Sequence, residues 1–119
     1  MSTTFRSDRA AEAIRAVAAR VIREEVSDPG LGFVTITACD VSHDLQNAKI
    51  LYTVLGDEKA REKAEAAFER AQSFLRRRIG QEVDLRTVPE IQFRYDLSTD
   101  SAMRIEEILN SLPEINKEP

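Results

Sequence analysis

Between residues 14 and 22 the apolar side chains recur at a helical period, and just beyond Asp28-Pro29-Gly30-Leu31-Gly32 they recur at the period of a strand. Ile14, Val17, Ala18, Val21 and Ile22 fall at i, i+3, i+4, i+7 and i+8, which makes one apolar stripe along a helix. Ser7 or Asp8 is placed to cap its start. Asp28-Pro29 ends it, because proline disfavours the helical region for the residue before it and cannot continue the helix itself. Gly30 and Gly32 then permit a turn. Residues 33–42 are rich in β-branched side chains, with Val34, Ile36 and Ala38 alternating against Thr35, Thr37 and Cys39. Residues 47–55 alternate in the same way, Ala48, Ile50, Tyr52 and Val54 against Lys49, Leu51 and Thr53. The four residues His43-Asp44-Leu45-Gln46 between them are short enough for an antiparallel hairpin.

Gly56-Asp57 breaks the second strand, and a helical region follows from Glu58 into the low eighties. Ala60, Ala64, Ala67, Phe68 and Ala71 form one stripe, and Leu75, Ile79 and Val83 a second. A straight helix of this length would measure about 37 Å, more than a small domain covers, so a break is expected near Ala71-Gln72-Ser73. Ile91, Phe93 and Tyr95 define a third strand. Thr99 or Asp100 caps a last helix with Ile105, Ile108, Leu109 and Leu112 facing inward and Pro113 as its stop. The order α-β-β-α-α-β-α predicts a two-layer α+β domain with helices on one face of a three-stranded sheet. The helical connection from strand two to strand three should cross right-handedly and allow parallel pairing.

With 119 residues the chain is expected to be one domain, and no apolar run approaches the length of a membrane span. The N-terminus lacks the apolar core of a signal peptide, so a cytoplasmic location is expected. A single cysteine, Cys39, excludes an internal disulfide and a multi-cysteine zinc site. Net charge is −4, but residues 100–119 alone hold five acidic and two basic residues. Against that acidity, residues 70–94 carry six arginines and only Glu82, Asp84 and Glu90, a local charge of +3. A basic element in an acidic chain points to a surface for an anionic partner.

Catalytic signals are poor. Ser42-His43-Asp44 is contiguous, whereas triad members converge from separate elements, so a polar hairpin turn is the better account. Cys39 sits mid-strand with no basic neighbour to lower its pKa. Turn and capping duties explain most of Asp28, Asp40, Asp44 and Asp96. Gly30-Leu31-Gly32 precedes a strand rather than a helix and makes no phosphate loop. In the basic helix, Arg76, Arg77 and Arg78 lie about 100°, 200° and 300° around from inward-facing Leu75, so all three are expected to reach solvent, Arg77 most of all. Arg70, seven residues earlier, shares the face of Arg77. The spacing leaves two readings open: a solvated helix laced by pairs with Glu69 and Glu82, or a nucleic-acid surface. Exposed aromatics are too scarce for base stacking, which favours contacts to phosphate and shape.

Taken together, Asp28-Pro29-Gly30-Leu31-Gly32-Phe33-Val34-Thr35-Ile36-Thr37, Val41-Ser42-His43-Asp44-Leu45-Gln46-Asn47-Ala48-Lys49, Phe74-Leu75-Arg76, Leu85-Arg86-x-x-Pro89-Glu90-Ile91-x-Phe93-x-Tyr95-Asp96 and Met103-Arg104-Ile105 resemble the bacterial ribosome-binding factor A family. The likeness runs in order over nearly the whole chain. It implies a type II KH-like fold, α-β-β-α-α-β, here with a short C-terminal helix, over residues 1–112, followed by a short acidic tail at 113–119. It implies a monomeric, non-enzymatic assembly factor with no cofactor or metal and no small-molecule substrate. Its partners would be the small (30S) ribosomal subunit and 16S rRNA, whose late maturation and 5′-end processing it would assist. In the family an Ala-x-Gly kink joins the helix pair; the matching positions are Ala71-Gln72-Ser73, with serine for glycine. The expected RNA-facing residues are Arg70, Gln72, Ser73, Arg76, Arg77, Arg78 and Arg86, with Arg94 and Lys49 secondary. Asp28, Pro29, Gly32 and Pro89 would shape turns. The competing readings are an acidic protein–protein adaptor without direct RNA contact, and a small Asp/His enzyme.

Overall fold

The structure, a computed structural model, describes residues 3–98. Helix α1 (Thr3–Glu25) leads through a short 3-10 turn (Pro29–Leu31) into strands β1 (Val34–Val41) and β2 (Asn47–Val54). Helix α2 (Glu58–Glu82) and strand β3 (Glu90–Tyr95) complete the unit. The C-terminal helix and acidic tail expected from the sequence lie outside the described residues.

The sheet has the order β1-β2-β3, with β1 antiparallel and β3 parallel to the central β2. This is the two-layer α+β arrangement that the two periods require, the α2 crossover bringing β3 alongside β2. Ile14, Ala18 and Val21 of α1 are fully buried, as are Ala64, Ala67, Leu75 and Ile79 of α2 and Ile50 of β2. Two aromatic contacts run between the sheet and α2, Tyr52 lying 4.4 Å from Phe68 and Phe68 stacking on Phe93 at 4.6 Å, and within the sheet Tyr52 meets Tyr95 edge-on at 5.8 Å. Such offset and edge-to-face pairs add modestly to area burial.

Three expectations need correction. Helix α1 starts at Thr3, so Ser7 and Asp8 lie inside it instead of capping it. Ser7 and Ala10 are buried and extend the Ile14 stripe toward the N-terminus, and that packing outweighs the weak helix propensities of serine and aspartate. Second, α2 is one uninterrupted helix through Ala71-Gln72-Ser73. Phe68 and Leu75 are seven residues apart, nearly two full turns, so they share one face and one core cluster without a break. The length of α2 is covered by more than the sheet. The 3-10 turn packs on it so closely that a Cβ on Gly30 would sit 2.7 Å from the Lys63 carbonyl oxygen, and Val88 packs against Gly80 near the other end. Gly30 sits in the expected turn, where its missing side chain is needed for this close approach. Third, the alternation of β1 shifts midway. Ile36 pairs with Tyr52 and Ala38 with Leu51, which leaves Thr37 as a bulge. Beyond it Cys39 and Val41, not Ala38, pack on the core.

Candidate nucleic-acid interface

The seven candidate residues fall into four environments. Arg70 is exposed but directs its guanidinium at Asp28, with Nε to Oδ2 and Nη2 to Oδ1 both at 3.0 Å. Asp28 also caps the 3-10 turn by accepting from the Gly30 N–H at 3.0 Å. The Arg70 fork, then the Gly30 amide, hold the Asp28 carboxyl below its ordinary pKa. This pair ties α2 to the turn and neutralises Arg70 locally.

Arg78 does not reach solvent freely as the helical spacing predicts; its side chain is only 19% exposed. Nε and Nη2 donate to the two carboxylate oxygens of Glu25 at 2.7 and 2.9 Å, Nη2 to Glu82 at 2.8 Å and Nη1 to Gln81 at 2.8 Å. Arg20 approaches the same two carboxylates, at 3.5 Å from Glu25 and 3.0 Å from Glu82. Arg20, Glu25, Arg78 and Glu82 therefore form a charged clamp between the C-terminal ends of α1 and α2. Arg78 is the first cause holding both glutamates below their ordinary pKa values. Glu69 takes no part in it.

Gln72, Ser73, Arg76 and Arg77 line one open groove of about 540 Å³ between α2 and the 83–89 link, with Gly80, Val88 and Glu90 on its walls. Arg77 is exposed, 5.5 Å from the Phe74 ring, and meets no carboxylate among the described residues. Arg76 is also exposed and makes a long 3.5 Å contact with Glu90, a pairing of little energetic weight at such exposure. Gln72 donates to the Ile91 carbonyl at 2.6 Å and fastens α2 to β3. Since α2 continues through residues 71–73, the backbone N–H groups there belong to the helix ladder and are not free donors.

Arg86 lies on the other side of the link, in a second groove shared with Arg6 and Arg9 of α1 and the 44–46 loop. Sequence spacing missed those two α1 arginines, which are about 80 residues away from Arg86 and come near it only through the fold. Arg94 and Lys49 project from the sheet face opposite the helices; Arg94 reaches Gln92 at 2.9 Å. Ser42, Asp44 and Asn47 form the polar turn expected of them, with Ser42 Oγ donating to Asp44 at 2.6 Å and accepting from the Asn47 N–H at 3.0 Å. Burial pushes the Cys39 thiol up to about 12, far from a reactive thiolate.

Residues 6–109 match the family model described as Ribosome-binding factor A. The chain belongs to the ribosome-binding factor A family. Family members from Desulfitobacterium hafniense (strain DSM 10664 / DCB-2) and Heliobacterium modesticaldum are 42% and 43% identical over 107 residues, spanning 90% of this chain and 86% and 88% of theirs. The ribosome-binding factor A of Moorella thermoacetica is 42% identical over 111 residues, 92% of this chain and 91% of its own. The crystal structure of ribosome-binding factor A from Thermus thermophilus superposes with a TM-score of 0.64 at 23% identity, covering 73% of this chain and 92% of that one. A homology model of Thermus thermophilus ribosome-binding factor A, as fitted into the cryo-EM map of a 30S complex, gives 0.61 at 24% identity, with the same two coverages. At these identities the superpositions establish a shared fold.

Proposed function

We propose that this protein binds the small ribosomal subunit by contacting 16S rRNA phosphates, and that it thereby assists late maturation and 5′-end processing of that RNA. The observation that carries this reading is the Arg76–Arg77 groove: two exposed guanidinium groups, one with no carboxylate partner among the described residues, in a family named for ribosome binding. Phosphate recognition suits arginine, whose planar fork matches the phosphate oxygens. A related protein from Thermus thermophilus has been placed in a 30S complex, which supports the same partner here. The protein acts without catalysis of its own, as a cytoplasmic monomer, and takes no cofactor. The Arg70 and Arg78 charges are held by Asp28, Glu25 and Glu82, so they shape the surface while Arg76, Arg77 and Arg86 meet the RNA.

The test is co-sedimentation with purified small subunits across a potassium chloride series. Binding should weaken steeply with salt, because displaced counterions return. Arg76→Gln with Arg77→Gln should weaken binding and shallow the log-affinity against log-salt slope by somewhat under about 1 per contact. An unchanged slope, with greater damage from neutralising Glu106 and Glu107, would favour a protein–protein adaptor instead.

A further inference from the structure

The link formed by residues 83–89 is a wall common to two grooves. On one side Val88 faces Arg76 and Arg77; on the other, residues 83–87 face Arg6 and Arg9 from the first turns of α1. The second groove, about 580 Å³, is completed by Asp44, Leu45 and Gln46 from the β1–β2 loop. That loop is tied to the start of β3, just past the link, since the Gln46 carbonyl accepts from the Glu90 N–H at 2.9 Å. Leu45 is held at φ 61°, an uncommon angle for a residue with a side chain, fixed by its own N–H donating to the Ser42 carbonyl at 2.8 Å. Three stretches distant in sequence thus bring Arg6, Arg9 and Arg86 to one concavity. Two acids, Asp44 and Asp84, also line it; the Asp44 carboxylate is turned into its own loop, accepting from Ser42 Oγ at 2.6 Å and the Gln46 N–H at 3.0 Å.

We infer that the second groove is a further phosphodiester-binding site, in which Arg6 and Arg9 join Arg86, so that an RNA backbone crosses the link from one groove to the other. The inference rests on the rRNA-binding reading above and extends it to α1, on which no expectation of RNA contact fell. With Arg70 and Arg78 engaged by carboxylates, α2 alone brings Arg76 and Arg77 to phosphate, and the second groove adds Arg6 and Arg86 with Arg9 beside them.

Four proteins decide it, each titrated by fluorescence anisotropy with purified small ribosomal subunits over a potassium chloride series: the parent, Arg6→Gln/Arg9→Gln, Arg76→Gln/Arg77→Gln, and the quadruple variant. Each double variant should shallow the salt slope by roughly 1.5 and the quadruple by about 3, from about 0.7–0.9 per lost contact. If only the Arg76/Arg77 pair changes the slope, the second groove is not a phosphate site and the inference fails while the function stands. The same holds if Arg6→Gln/Arg9→Gln lowers affinity at constant slope, the mark of a ribosomal-protein contact. If neither pair changes the slope, the rRNA reading falls and takes this inference with it. Should Arg6→Gln/Arg9→Gln lose its cooperative thermal transition, Arg86→Gln alone substitutes for it, expected to shallow the slope by about 0.8; no change would overturn the inference.

Discussion

Arg78 donates from all three guanidinium nitrogens to acceptors on two helices, while Arg77, its neighbour in sequence, faces solvent beside Phe74. Truncating one member of a multiply bonded charge cluster leaves the others without their partner, so Arg78→Gln should lower the thermal midpoint clearly more than Arg77→Gln. Equal midpoints in a melting comparison would contradict the clamp. The same cluster sets a pH dependence. Glu25 and Glu82 have folded-state values depressed below an ordinary 4.5, chiefly by Arg78. A depressed carboxyl contributes stability that is complete above 4.5 and is lost as pH falls through the lowered folded value. Parent stability should therefore drop on acidification below that point, and Arg78→Gln should drop less, as read by denaturant midpoints between neutral and acid pH. Part of this was legible in sequence: Glu82 follows Arg78 at i+4, a spacing known to pair. Glu25 was not, being 53 residues away. A helical projection gives the angle of Arg78 relative to Leu75 but not the position of α1.

At the level of elements, Gly30, packed against α2, and Gly80, within it, make a controlled comparison. A Cβ at Gly30 would strike the Lys63 backbone oxygen at 2.7 Å and the Ala67 Cβ at 2.9 Å, neither of which can swing aside. Gly30→Ala should cost roughly 1–3 kcal/mol, as overpacking does. At Gly80 the nearest atom is the Val88 Cγ2 at 2.9 Å, a side-chain methyl, and alanine gains up to about 1 kcal/mol of helix propensity there. Gly80→Ala should be close to neutral; a chemical-denaturation series that ranks the two in reverse would refute the packing of the turn and link on α2. The elements themselves were largely legible, because the stripe through Ile14, Val17 and Val21 and the alternation at Ile91, Phe93 and Tyr95 each follow one period. The single α2 was not: chain length suggested a break, but contacts at Gly30 and Gly80 support both ends of the helix. Nor was the Thr37 bulge, whose hydroxyl donates to Asp96 at 2.7 Å, a partner 59 positions away. Periodicity carries no information about such a residue, which breaks the period.

For the molecule as a whole, Val17, Ile36 and Phe93 pack against both core clusters and join them. Leu75→Ala in one cluster and Ile14→Ala in the other should each cost roughly 2–5 kcal/mol and displace a single unfolding transition. Two separable calorimetric transitions in either variant would show that the clusters melt independently. The layering and the parallel β2–β3 pairing followed from the order of periods, whereas the second arginine groove did not, because α1, the hairpin loop and the link meet only in three dimensions. Parallel pairing also fixes when the binding face comes into being. The β1–β2 hairpin closes through local contacts, but β3 has no place to add until α2 has crossed over the sheet. Gln72 can latch onto Ile91, and Gln46 onto Glu90, only at that last step. Until β3 has docked, a chain carries every arginine and none of the geometry, so the competence to bind arrives together with the completion of folding.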